Sequence, residues 1–141
     1  MMYGDLTNHL ETLDSITSHA LRQAYMGLVM AALSGGLEVR LRVADGEREL
    51  LFRDAEGRQP FTARLAGGTL DFCLRRPLLD AQAGLALAAV QRFGNRLLSD
   101  PASLGEVRVR LETVADVEEL MEFLQLRPRL VSLGYGARIS A

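Results

Sequence analysis

The chain has 141 residues, 48% of them hydrophobic and 24% charged, with a net charge of −2. That length and apolar content are enough to bury one core without disulfides or a structural metal, so a single α+β domain over residues 1–141 is expected and a second domain is not. The sequence pI of about 5.7 argues against a general polyanion binder, since domains that hold nucleic acid by bulk charge usually lie above about pI 9. All 16 basic residues are arginine, and the one cysteine, Cys73, leaves no internal disulfide, which fits a reducing compartment. The most apolar N-terminal segment, residues 24–33, is well short of the roughly 20 residues a membrane-spanning helix needs. A cytoplasmic protein with no membrane partner is therefore expected.

Asp5 or Thr7 is placed to cap a first helix whose apolar residues Leu6, Leu10, Leu13, Ile16, Ala20, Ala24, Leu28 and Ala31 recur at three- and four-residue spacing. Asp14, Ser15, Thr17 and Ser18 interrupt it midway. One continuous helix and two helices broken between Asp14 and Ser18 both fit. Gly35-Gly36 supplies the stop. Tyr25, Met26, Val29 and Met30 widen the apolar surface beyond one stripe, and a helix apolar on more than one side needs a second partner.

Residues 37–76 read as two tight hairpins in tandem. Leu37, Val39, Leu41 and Val43 alternate with Glu38, Arg40 and Arg42, the period of a half-buried strand. Asp45-Gly46 tolerates the positive φ angles of a two-residue hairpin turn. Centring the turn there sets Leu41 against Leu50 and Val39 against Phe52 on a dry face, and Arg42 against Glu49 and Glu38 against Arg53 on a wet one. A one-residue slip would exchange the two faces. The same reasoning around Gly67-Gly68 pairs Leu65 with Leu70, Ala63 with Phe72 and Phe61 with Leu74, and on the wet side Arg64 with Asp71 and Thr62 with Cys73. A four-stranded antiparallel meander follows.

Asp80 is a candidate cap for a helix running to about Ser99, with a core stripe of Leu85, Ala86, Ala89, Val90, Phe93 and Leu97, and with Leu87 and Leu98 off that stripe. Asp100-Pro101 closes it. Alternation returns from Glu106 to Glu112 as a fifth strand, free to pair in either direction at either edge. Thr113 and Asp116 then have the spacing of a capping box, and Val114, Val117, Leu120, Met121 and Leu124 form the apolar stripe of a last helix. The tail from about 129 has room for a short strand over Leu130, Val131 and Leu133 but otherwise reads as loose. The order α-ββββ-α-β-α implies an α+β fold, a mainly antiparallel five-stranded sheet with helices packed on one face. The layout resembles that of small secretion-chaperone-like and other α+β dimers in topology alone, and topology does not carry function.

No catalytic, metal or cofactor set is assigned. His9 and His19 stand ten residues apart with no third ligand placed by spacing. Cys73 falls on the wet face near Arg64, Arg75 and Arg76, neighbours that would favour a thiolate, yet no general base is placed beside it; an enzymatic role would rest on this residue. The acidic run Asp116, Glu118, Glu119 and Glu122 reads as a solvated helix face, and the glycine pairs as a cap and a turn rather than phosphate loops. The expected function is that of a small, non-enzymatic binding or interaction protein, a homodimer whose interface draws on the apolar surplus Tyr25, Met26, Met30, Leu87 and Leu98, with a protein partner also compatible. The alternative is nucleic-acid binding through Arg40, Arg42, Arg108 and Arg110. It is disfavoured because Phe52, Phe61 and Phe72 point to the dry face, leaving no strand aromatics on which bases would stack.

Overall fold

Strand pairing follows apolar matching. In the computed structural model, which describes residues 2–44, 46–98 and 105–125, β1 (Glu38–Ala44) lies antiparallel to β2 (Glu47–Arg53), with Leu41 opposite Leu50, Val39 opposite Phe52, Arg42 opposite Glu49 and Glu38 opposite Arg53. Gly46 supplies a φ of 77° in the connecting turn, a value that costs glycine little; Asp45 lies outside the described residues. β3 (Phe61–Ala66) and β4 (Thr69–Leu74) repeat the arrangement, pairing Leu65 with Leu70, Ala63 with Phe72 and Phe61 with Leu74. β2 and β3 pair antiparallel as well, which completes the meander.

The sheet then gains more than the expected fifth strand. β6 (Val107–Leu111) runs antiparallel beside β4, and a two-residue strand, β5 (Leu97–Leu98), pairs with its far edge. The order is β1-β2-β3-β4-β6-β5, six strands rather than five. The sixth comes from residues expected to finish a helix. That helix, α4 (Leu85–Phe93), stops at Gly94 and passes through a single 3-10 turn over Gly94–Arg96, where glycine and asparagine are weak helix formers. Leu97 is thereby set opposite Val109 on the helix-covered face and Leu98 opposite Arg108 on the other. Upstream, Arg76–Ala81 form a separate short helix, α3, with Pro77 in its first turn. Gly84, at a φ of 85°, divides α3 from α4, so Asp80 sits near the end of a helix and not at its start.

The N-terminal choice falls to two helices, α1 (Met2–Ser15) and α2 (His19–Ser34). α1 starts ahead of both Asp5 and Thr7, so neither is its cap. At the break Ile16 turns into the core, and the Ser18 hydroxyl accepts from the Leu21 amide at 3.2 Å, capping α2. α5 (Val114–Leu124) opens on the capping box: Thr113 Oγ1 accepts from the Asp116 amide at 3.2 Å and Asp116 Oδ2 accepts from the Thr113 amide at 3.1 Å. The helices cover the face carrying Leu50, Phe52, Leu70, Phe72 and Val109, all buried. Phe72 sits between Phe52 and Phe61, with ring centres 5.8 and 5.3 Å away. α2 and α5 form the most intimate helix pair, meeting at Gly27 beneath Val114 and Val117. The expected ending of a helix at Ser99 to Pro101, and the tail from 129 with its short strand, lie outside the described residues.

Candidate functional site

The apolar surplus divides into three parts. Met26 and Met30 remain exposed and are joined on the same side of α2 by Leu33, while Leu87 and Val90 are exposed on α4. Leu98 is half-buried and belongs to the sheet, on the face away from the helices. Tyr25 is a correction: it is 2% exposed, part of the core and not of any surface. Its hydroxyl lies 2.7 Å from His9 Nδ1 and also engages Thr12, so this one side chain ties α1 to α2. Burial pushes its phenol up to about 12.

The open face of the sheet carries arginine with acid interleaved. Glu38 lies near both Arg40 and Arg53, Arg42 pairs with Glu49, and Arg75 approaches Glu106 at 3.9 Å. Asp71 is 8% exposed and takes Arg110, whose Nε is 3.0 Å from its carboxylate. Cross-strand register had assigned Asp71 to Arg64, which still stands opposite it; the long arm of Arg110, from the strand on the other side, makes the bond. Arg108 also has a partner.

Cys73 shares that face but is 4% exposed. Its Sγ donates to Glu106 at 3.4 Å. Burial first, and then the Glu106 charge and hydrogen bond, push the thiol up to about 11, the opposite direction from the one its arginine neighbours suggested. The arginine neighbours therefore do not favour a thiolate at Cys73. His19 opens α2 and is exposed. Among the described residues no group of three or more His, Cys, Asp or Glu is placed to hold a metal ion. The acidic run of α5 is less solvated than expected: Arg92 reaches Glu119 and Glu122 at 2.9 and 3.2 Å, and Arg96 bonds Asp116 at 2.7 Å and also Glu119, which fastens the α4 region to α5.

One residue escaped the sequence reading altogether. Arg48 shares its side of β2 with Leu50 and Phe52, and stands opposite Val43 on one neighbour and Leu65 on the other. It is thus a cation on the helix-covered face. The signal was present in the register, because among the arginines of the two hairpins it is the one with apolar residues opposite it on both flanking strands. Arg48 is half-buried, and its Nε is buried without a hydrogen-bond partner. It lines a cavity of about 390 Å³ bounded by the α1–α2 break at residues 15–18, by Gly46 and by the β3–β4 turn at residues 65–68.

Among the described residues no helix is long and apolar enough to cross a membrane. Comparison with known protein families, with curated proteins and with solved structures finds no match to this chain.

Proposed function

We propose that the protein is a small, non-enzymatic binding or interaction protein that acts as a homodimer, joined through the exposed apolar side of its helical layer. The observation that carries this reading is the spacing of Met26, Met30 and Leu33, which are 46%, 63% and 55% exposed. Residues at i, i+4 and i+7 lie above one another on a helix, so these three make a continuous stripe on the order of 300 Å² rather than scattered apolar points. Leu87 and Val90, one turn apart on α4, add a second exposed apolar patch. A two-fold dimer uses the same patch on both copies, and unbranched methionine adapts readily to a self-complementary surface.

The sheet edge is the poorer interface. Pairing β1 along its full length with β1 of a second copy, about a two-fold axis at Leu41, would set Arg40 across from Arg42, and like charges directly opposite destabilise a ladder. Nucleic-acid binding through Arg40, Arg42, Arg108 and Arg110 is the weaker alternative, since these arginines already have partners and the strand phenylalanines face the core. Sedimentation or light scattering tests the reading. The wild type should have twice the chain mass at about 100 μM, a concentration well above the Kd of a standard-size interface, and Met30→Glu should be a monomer with an unchanged circular dichroism spectrum. A wild type that stays monomeric there would end the proposal.

A further inference from the structure

We propose that the cavity beside Arg48 is a binding site for a tetrahedral oxyanion, a phosphate either free or carried as a small phosphomonoester. This is independent of the dimer reading and starts from an electrostatic debt. A guanidinium taken out of water is costly unless an anion or several acceptors receive it. Arg48 is partly in that position: it is half-buried on the helix-covered face, with the exposed Val43 on one side and the buried Leu65 on the other, its Nε is buried and unbonded, and it makes no ion pair among the described residues. Other arginines of the sheet, such as Arg42 and Arg110, are paired with carboxylates. A neutral or apolar side chain would suit the position better if nothing were bound there.

The surroundings supply what an oxyanion needs. Thr17 and Ser18 bring hydroxyls from the α1–α2 break, the Ser15 hydroxyl being donated to the Thr12 carbonyl at 2.6 Å, and Gly67 and Gly68 bring backbone with no side chain in the way. Arg48 approaches from the sheet, the hydroxyls from the helices and the glycine turn from the adjoining hairpin. The guanidinium fork can take two oxygens of a phosphate together, and the Thr17 and Ser18 hydroxyls offer donors to the remaining one. Arg48 is the one charged side chain among the described residues lining the space. A volume of about 390 Å³ exceeds that of a bare phosphate and leaves room for a short ester body.

The test is thermal unfolding and calorimetric titration of the full chain with inorganic phosphate, glycerol 3-phosphate, acetate and sodium chloride at matched ionic strength. Phosphate should raise the midpoint saturably, as a ligand of the native state must, and chloride should not. A tighter response to the ester than to inorganic phosphate assigns the site to a phosphomonoester, and the reverse to the free ion. Arg48→Met should abolish the response and, by removing an uncompensated charge, raise the midpoint without phosphate. Thr17→Val, at an exposed position, should weaken binding severalfold with the fold intact, which keeps the test decisive if Arg48→Met does not fold. No saturable response to either phosphate compound, an equal response to acetate, or an unchanged response in Thr17→Val together with Arg48→Met would overturn the proposal.

Discussion

Gly27 offers a quantitative probe of how α2 meets α5. A methyl group built there would lie 3.2 Å from Val114 Cγ2 and 4.0 Å from Val117 Cγ1. Replacing a mid-helix glycine by alanine gains about 1 kcal/mol in helix propensity. Against that, Val114 must yield by a few tenths of an ångström. Its χ1 is stiff, as in any β-branched residue, but it is 40% exposed and opens α5, so the first turn can rock outward at a cost on the order of 0.5–1 kcal/mol. The two effects nearly cancel, and Gly27→Ala should change stability by less than about 0.5 kcal/mol. In a Val114→Ala background the obstruction is gone and the same change should stabilise by the full ~1 kcal/mol, a midpoint rise of about 3–6 °C. Gly27→Leu should cost about 1–3 kcal/mol by prising the helices apart. Urea denaturation of the four members of the alanine cycle measures the coupling directly. Additivity within about 0.3 kcal/mol, or a Gly27→Leu variant as stable as the wild type, would refute the close approach of α2 and α5 at this point.

Asp116→Ala removes a carboxylate that accepts from the Glu112 and Thr113 amides and pairs with Arg96; it should cost about 1–2 kcal/mol in denaturant, more than Thr113→Ala. Arg96 and then Arg92 hold the Glu119 carboxyl below the usual carboxylate range. A depressed folded-state pKa gives stability that is complete above the unfolded value and is lost as pH falls through the folded one, so Glu119→Gln should flatten the loss of stability on acidification below about pH 4.5. If both proteins lose stability in parallel there, the clamp on Glu119 carries no linkage. Cys73, buried and pushed up to about 11, should react with a thiol reagent at pH 8 at least about tenfold more slowly in the folded protein than in urea, and Glu106→Gln should quicken it; labelling at the free-thiol rate would contradict the burial.

How much of the fold was legible follows from the range of the interactions that decide it. Both hairpin registers could be read because a turn such as Gly67-Gly68 fixes which residues meet, and period-two alternation leaves one pairing that keeps the faces separate. The capping box at Thr113 and Asp116 is a contact across three residues, and spacing alone specifies it. The same local rules already placed Arg48 among apolar neighbours, so the most informative position in the candidate site was available to a closer reading of the register. Other features depend on neighbours remote in the chain. Leu97 and Leu98 are helical by pattern and become a strand because β6 presents them a free edge. Cys73 falls on the wet side by parity and is dry in fact, its thiol bonded to Glu106, thirty-three residues on. Tyr25 looks like surplus surface until α1 folds back and sets His9 against its hydroxyl. Sequence by itself determined the α+β class, the strand partners within each hairpin and the side of the sheet on which each hairpin residue lies. Tertiary structure alone decided how deeply those residues are buried and what covers them, because period and turn chemistry act over a few residues, whereas desolvation is set by whichever distant segment comes to lie on top.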